Sequence, residues 1–313
     1  ALELDVEGIF SFNVESSHEL AVLNGVAVAL KRKAKVALRF NPDVDAKTHP
    51  YISTGLKKNK FGMQRKEIQE VVKRLEGYPG IDLRGISIHI GSQLLTLAPL
   101  EDAFARLQKV VLELNEELPR PLSFVDLGGG VGIRYDQEVP PTLAKYCALV
   151  QKYFGKKAKL KYPLKVLIEP GRTLAGNAGV LVTEVLGRKQ RTQKDFLVVD
   201  AGMNDLIRPA LYESYHGIVP LNETLTKKNL RKTNIVGPVC ESADCFATDR
   251  LFSTELKKGD RLAILSAGAY GMSMASNYNS RPRPAEVLVR NGKFRVIRKR
   301  ETLEDLIRGE ALE

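Results

Sequence analysis

Three cysteines in 313 residues leave no material for a disulfide framework, and Cys147, Cys240 and Cys245 are too dispersed to form one. Neither a second cysteine pair nor a histidine pair stands at ligand spacing, which excludes a structural zinc site, and no metal is expected. No apolar run approaches the roughly 18–20 residues that span a bilayer. The N-terminus lacks the basic, apolar and small-residue regions of a signal peptide. These absences predict a cytoplasmic chain without a membrane partner. Net charge is +11 at pH 7 and the pI about 9.4, but the basic residues come in short mixed runs such as Lys57-Lys58-Asn59-Lys60, without interleaved aromatics. That pattern argues against a nucleic-acid partner, and for solvated faces plus a site for a phosphate and carboxylates.

What is present is the composition of a globular protein with a real core, 43% hydrophobic and 27% charged. Two kinds of organisation meet near residue 175. In the first, strand candidates at Ile9–Glu15, Lys35–Asn41, Gly85–Gly91, Phe124–Gly130 and Lys165–Glu169 alternate with helical periodicity. Ser16 and Glu19 predict a capping box for the first helix. Ile68, Val71, Val72 and Leu75 form one apolar stripe; Phe104, Leu107, Val111, Leu114 and Leu118 another; Leu143, Cys147, Val150 and Phe154 a further one. Strand–helix repetition means βαβ units and a parallel sheet. The spacing points to a (β/α)₈ barrel, of which residues 1–175 hold only about five of the eight strands. Residues 176–313 lose the helical period. Val180–Leu186, Asp195–Asp200, Asn234–Val239, Arg261–Leu265, Ala285–Arg290 and Lys293–Ile297 read as strands of an all-β domain, with an Asn291-Gly292 hairpin turn and a closing helix over Thr302–Leu312.

Four segments carry chemistry. Within Gly85–Gly91, Ile86, Ile88 and Ile90 point one way and Ser87, His89 and Gly91 the other, which would place His89 in a barrel lumen near a strand's C-terminal end. There an imidazole serves as base, ligand or stacking plate. Asp126-Leu-Gly-Gly-Gly-Val-Gly-Ile133 follows a strand, and its adjacent glycines can aim several N–H groups at one anion. A dinucleotide fingerprint is excluded, because the third glycine position is Ile133. The other reading is a plain tight turn. Glu169-Pro-Gly-Arg172 sets a carboxylate beside a guanidinium: a structural ion pair, or a partner for a pyridine nitrogen plus a fork for a carboxylate. Gly237-Pro-Val-Cys-Glu-Ser-Ala-Asp244 joins a thiol to two acids. Carboxylates do not activate a thiol as a nucleophile, so Cys240 suits a proton donor, or else a small buried apolar group.

Together these segments resemble a known family, the alanine-racemase-type (fold III) pyridoxal-phosphate decarboxylases, and within it the members acting on diaminopimelate. The resemblance runs through Phe12-Asn-Val-Glu-Ser16, Arg39-Phe-Asn-Pro42, His49-Pro-Tyr-Ile-Ser-Thr-Gly-Leu56, Lys60-Phe-Gly62 and His89-Ile-Gly-Ser-Gln93. It continues through the glycine loop, Glu169-Pro-Gly-Arg172, Arg208-Pro-Ala-Leu-Tyr212, Cys240-Glu-Ser-Ala-Asp244 and Ala269-Tyr-Gly-Met-Ser-Met-Ala-Ser-Asn-Tyr-Asn279.

The resemblance implies pyridoxal 5'-phosphate as cofactor. His89 would stack on its ring; Ser92, Gly128, Gly129 and Gly130 would hold its phosphate, with Gly171, Arg172 and Tyr270 around it; Glu169 would meet the pyridine nitrogen. Arg172, Arg208, Tyr212, Glu241 and Tyr270 would bind a dicarboxylic diamino acid. Cys240 and Glu241 would reach across a homodimer interface, with Cys240 the proton donor. The implied reaction converts meso-2,6-diaminopimelate to L-lysine and CO₂. Sister reactions on ornithine, arginine or carboxynorspermidine are the enzymatic alternative, and a non-catalytic binding or regulatory role the other. The family's cofactor-linking lysine lies in a run resembling Ala-Val-Lys-Ala-Asn on the first barrel strand, and no such run occurs here. The chain opens on what resembles the fourth strand, so the resemblance implies an upstream segment without which the chain would be inactive.

Overall fold

The computed structural model describes residues 8–46, 54–55, 59–192 and 194–311. The His49–Leu56 block, apart from Thr54 and Gly55, lies outside the described residues, as do Lys57, Lys58 and Leu312. The chain divides into two compact units, one of residues 1–133 and 138–173, the other of 134–137 and 174–313.

The first unit alternates strand and helix: β1 (Phe12–Val14), α1 (Ser17–Ala29), β2 (Ala34–Arg39), α2 (Arg65–Lys73), β3 (Ile81–Ser87), α3 (Ala98–Glu117), β4 (Phe124–Asp126), α4 (Leu143–Phe154) and β5 (Lys165–Leu167). The five strands pair in sequence order and all in parallel. Side-chain alternation sorts the rows. Val14, Leu38, Ile86, Val125 and Val166 share one register row and join Ile68, Val71, Phe104, Leu107 and Val111 of the helices in a single core. The next row, Arg39–Ser87–Asp126–Leu167, lies on the opposite face. So does the row before it, where the Phe124 ring fills the space over Gly85: a Cβ on Gly85 would stand 2.4 Å from that ring. Phe10 covers Phe124 with centroids 5.0 Å apart. Ile88 and Ile90 are buried in the same core as Ile86, as expected from their parity.

Several local expectations are corrected. β3 begins at Ile81 and ends at Ser87, so His89 follows the strand rather than sitting within it. Polar Asp82 and Arg84 obscure its first half. Ser16 Oγ accepts from the Glu19 amide at 3.1 Å, but the Glu19 carboxylate turns to the Glu15 amide at 2.7 Å, one residue before the cap. α4 buries Tyr146, Leu149 and Phe154, while Leu143 and Cys147 are exposed. Two stripes of helical spacing compete in α4, and packing against α3, where Phe104 meets Tyr146 and Phe154 edge-on, selects the aromatic one.

The second unit is a mixed six-stranded sheet in the order β10-β9-β7-β6-β11-β8 with a separate β12–β13 hairpin. Its strands are β6 (Leu181–Gln190), β7 (Asp195–Val199), β8 (Ile218–Pro220), β9 (Leu230–Val236), β10 (Cys245–Ser253), β11 (Arg261–Ile264), β12 (Glu286–Arg290) and β13 (Lys293–Arg298). Val185, Leu197, Val199, Ile235, Phe246, Phe252, Leu262 and Ile264 form its core. β8 and β10 were not expected. β10 pairs with β9 through two register breaks, which remove the alternation that announces a strand. Asn291 and Gly292, at φ 51° and 70°, close the hairpin as a type I′ turn requires. The tail helix shrinks to Leu303–Leu306, capped reciprocally by Thr302 and Asp305.

Candidate active site

In the first unit the chemistry collects beyond the C-terminal ends of β3, β4 and β5. Gly128 and Gly130, at φ +62° and +109°, take backbone that L side chains avoid. A Cβ on Gly129 would stand 2.1 Å from the Glu169 carbonyl oxygen, and one on Gly130 2.3 Å from that of Gly91. The loop therefore threads between the chain after β3 and the chain after β5 with no room for a side chain. Backbone bonds lock it there: the Glu169 amide donates to Gly128 O at 2.8 Å and the Leu94 amide to Gly130 O at 2.8 Å. The Gln93 carboxamide closes the far side, donating to Ile133 O at 2.7 Å and accepting from its amide at 3.1 Å.

Two glycine amides are turned inward. Gly128 N–H donates to Asp126 Oδ1 at 3.0 Å and Gly129 N–H to His89 Nδ1 at 3.2 Å. Since Nδ1 accepts, the proton of the neutral ring sits on Nε2. Burial, followed by the nearby Arg39 charge, lowers the His89 pKa and keeps the ring neutral. Ser92 Oγ accepts from Arg172 Nε and Nη2 at 3.2 and 3.1 Å, and the Arg172 side chain is buried. Arg172 is the second residue of a short helix, α5 (Gly171–Ala175), whose Thr173 hydroxyl donates to Val131 O at 2.9 Å, tying it to the glycine loop. A Cβ on Gly171 would meet nothing within 4 Å, so that glycine faces open space.

Glu169 keeps solvent access, yet its pKa is pushed up to about 7. Desolvation by the surrounding protein leads, followed by repulsion from Asp126 and a hydrogen bond with it; Arg39 opposes. Asp126 also accepts from Asn13 Nδ2 at 3.2 Å. Arg39 pairs with Glu15, which in turn accepts from the Gly62 amide at 2.6 Å. Asn13, Glu15, Arg39 and Asp126 were not among the expected site residues. The signal was available in Arg39 and Asp126, which interrupt apolar strands at positions facing away from the helices.

The remaining expected residues belong to the second unit. Arg208 opens α6 (Arg208–Tyr212), is buried, and is held by Tyr135, Ser214 and His216; Tyr212 closes the same helix, half-buried. Asp244 folds the loop after β9, accepting from the Met203 and Val239 amides at 2.7 Å each. This leaves Cys240 and Glu241 exposed, with Glu241 accepting from the Tyr278 hydroxyl at 3.3 Å. Tyr270 is exposed at φ 59°, a left-handed conformation that a bulky residue adopts only under constraint. Gly271 beside it permits close passage, since a Cβ would stand 2.2 Å from Ala267 O. Among the described residues no group of three or more His, Cys, Asp or Glu could hold a metal ion, and no helix is long and apolar enough to cross a membrane.

Residues 1–176 match the family model described as pyridoxal-dependent decarboxylase, pyridoxal binding domain. The diaminopimelate decarboxylase of Neisseria meningitidis serogroup A is 49% identical over 305 residues, spanning 97% of this chain and 72% of that protein. The Aquifex aeolicus diaminopimelate decarboxylase is 45% identical over 302 residues, covering 96% and 69%. The crystal structure of Helicobacter pylori diaminopimelate decarboxylase complexed with L-lysine superposes with a TM-score of 0.88 at 43% identity, covering 96% of this chain and 73% of that one. A lysine/ornithine decarboxylase of Vibrio vulnificus, at 23% identity and TM-score 0.71, shares the fold. The chain belongs to the pyridoxal-dependent decarboxylases and, within them, to the diaminopimelate decarboxylase family.

Proposed function

We propose that this protein decarboxylates meso-2,6-diaminopimelate to L-lysine and CO₂ with pyridoxal 5'-phosphate, in the cytoplasm and as a homodimer. The observation that carries the reading is identity of 49% with a diaminopimelate decarboxylase across 97% of the chain. The residues present fit the cofactor's phosphate and ring. Arg172 and the Ser92 hydroxyl form a buried cationic corner beside a glycine loop whose path excludes any Cβ, the setting a phosphate needs. A carboxyl pushed up to about 7 by desolvation and by Asp126 beside it is one that the cation of a protonated pyridine nitrogen would return to its ionised form.

Bound pyridoxal phosphate supplies the electron sink that takes up the pair left when CO₂ departs. The neutral His89 ring offers a flat face, its orientation fixed by the Gly129 amide. Glu169 holds a proton at the ring nitrogen, and pairing there returns its own carboxyl to the ionised form. Of the two roles open to Arg172, its fork on Ser92 supports the phosphate. With the Gly128 and Gly129 amides turned to Asp126 and His89, those two glycines serve chiefly to shape the loop, and Gly130 packs against Gly91, the residue before Ser92. Arg208, with Tyr212 and Tyr270, binds the end of the substrate that keeps its carboxylate, and Glu241 reads the amino group there. Cys240 delivers the proton that replaces the lost carboxylate, from the partner subunit, so that one proton is consumed per CO₂ released.

Lysine formation from meso-diaminopimelate with added pyridoxal phosphate tests the proposal, with the visible absorbance of bound cofactor followed alongside. Lysine with stoichiometric CO₂, and no turnover of ornithine or arginine, is the expected result for protein that includes the family's cofactor-linking lysine; these 313 residues, which hold no run resembling Ala-Val-Lys-Ala-Asn, should give none by themselves. Turnover of ornithine or arginine in preference to diaminopimelate would overturn it.

A further inference from the structure

The Arg208 guanidinium is enclosed by three side chains from different parts of the second unit. Nη1 lies 2.9 Å from His216 Nε2, Nη2 donates to Ser214 Oγ at 3.2 Å, and Cζ sits 4.8 Å from the centroid of the Tyr135 ring. His216 is 0% exposed, and its Nδ1 stands 2.8 Å from the carbonyl oxygen of Leu265, just beyond β11. A carbonyl only accepts, so Nδ1 carries the proton; Nε2 is then the acceptor and Arg208 the donor. A neutral imidazole satisfies both contacts at once. Tyr135 meets the His216 ring edge-on at 5.3 Å and 76°, and Arg250 donates to the His216 carbonyl. The imidazole is thus a fixed spacer between the end of β11 and the guanidinium.

We propose that His216 is a positioning residue for Arg208, setting the plane of the guanidinium against the Tyr135 ring so that its fork meets the carboxylate that the substrate retains and the product carries. The inference rests on the reading of Arg208 as that carboxylate's partner. It adds a specificity determinant that touches neither substrate nor cofactor. Arginine carries rotatable bonds along its whole stem, and only a guanidinium held in one plane offers two parallel N–H groups to a carboxylate. An imidazole locked by Leu265 O removes that freedom at a buried site.

The test compares two ligands of the holoenzyme by calorimetry: L-lysine, and 1,5-diaminopentane, which lacks the carboxylate. His216→Leu is expected to weaken L-lysine binding by about tenfold or more, as for loss of a hydrogen bond to a charged group, and to change diaminopentane binding by less than about twofold. KM for meso-diaminopimelate should rise in step with little change in kcat, and bound-cofactor absorbance should persist. His216→Gln, which keeps one donor and one acceptor, should recover most of the loss. In an Arg208→Gln background, His216→Leu should add almost nothing. Unchanged L-lysine binding in His216→Leu would overturn the inference, as would equal weakening of both ligands or a full additional effect without Arg208. If Arg208→Gln itself leaves L-lysine binding intact, the reading of Arg208 fails and this inference with it. Should His216→Leu not fold, His216→Asn, too short to span Leu265 and Arg208, decides by the same two-ligand comparison.

Discussion

Glu169 and Asp126 place two carboxyls together at the end of a parallel sheet, and desolvation, followed by repulsion from Asp126, pushes the Glu169 pKa up to about 7. This makes the unloaded site sensitive to pH with a definite sign. A carboxyl whose folded-state pKa lies above its unfolded value favours the folded chain at low pH, and that advantage is lost as pH rises from about 4.5 to about 7. Cofactor-free protein is therefore expected to lose urea resistance across that window relative to Glu169→Gln, whose side chain does not titrate. If Glu169 meets the ring nitrogen as proposed, bound cofactor should remove the difference. Parallel urea midpoints for the two proteins from pH 5 to pH 8 would show that the Glu169 carboxyl is not raised in the folded chain.

At the scale of elements, the glycine loop is shaped by what surrounds it more than by its own flexibility. Gly129 has no left-handed φ; its constraint is the Glu169 carbonyl 2.1 Å from where a Cβ would stand. Gly129→Ala is expected to destabilise the fold by about 1–3 kcal/mol through overpacking. The matched control Gly171→Ala, with nothing within 4 Å, should lie within about 0.5 kcal/mol of the parent. Thermal unfolding of the two variants separates overlap from any general intolerance of side chains in these loops. The sequence made this loop readable because three adjacent glycines after an apolar run have few other uses. Parallel β1–β5 was readable for a similar reason, since strand and helix periods alternate cleanly there. β10 is not, because its bulges cancel the period of two, and α4 offers two helical stripes that only the packing of Phe104 distinguishes. Asp126 and Arg39 escaped notice as site residues because a charge inside a strand acquires meaning only once register shows which face it occupies. His216 carried no motif at all; its role follows from Leu265, Arg208 and Tyr135, which are remote from one another in sequence.

For the whole molecule, the proposed homodimer has a direct consequence, since Cys240 and Glu241 are exposed in the single chain and are assigned to the partner's site. Inactive Cys240→Ala and inactive Glu169→Gln protein, mixed and allowed to exchange subunits, should regain about a quarter of parental activity, because half the dimers then contain one intact site. No recovery after demonstrated exchange would mean that each chain uses its own Cys240. The division of the chain adds a constraint of another kind. It passes between the two units after residues 133, 137 and 173, and the four-residue excursion carries Tyr135 to Arg208 and His216. A recombinant of two homologues joined once, near residue 173, would inherit Tyr135 from one parent and the arginine and histidine it packs with from the other. Residues 134–137 therefore form a heritable block with the C-terminal parent, and a chimera that keeps this block intact needs three crossovers instead of one.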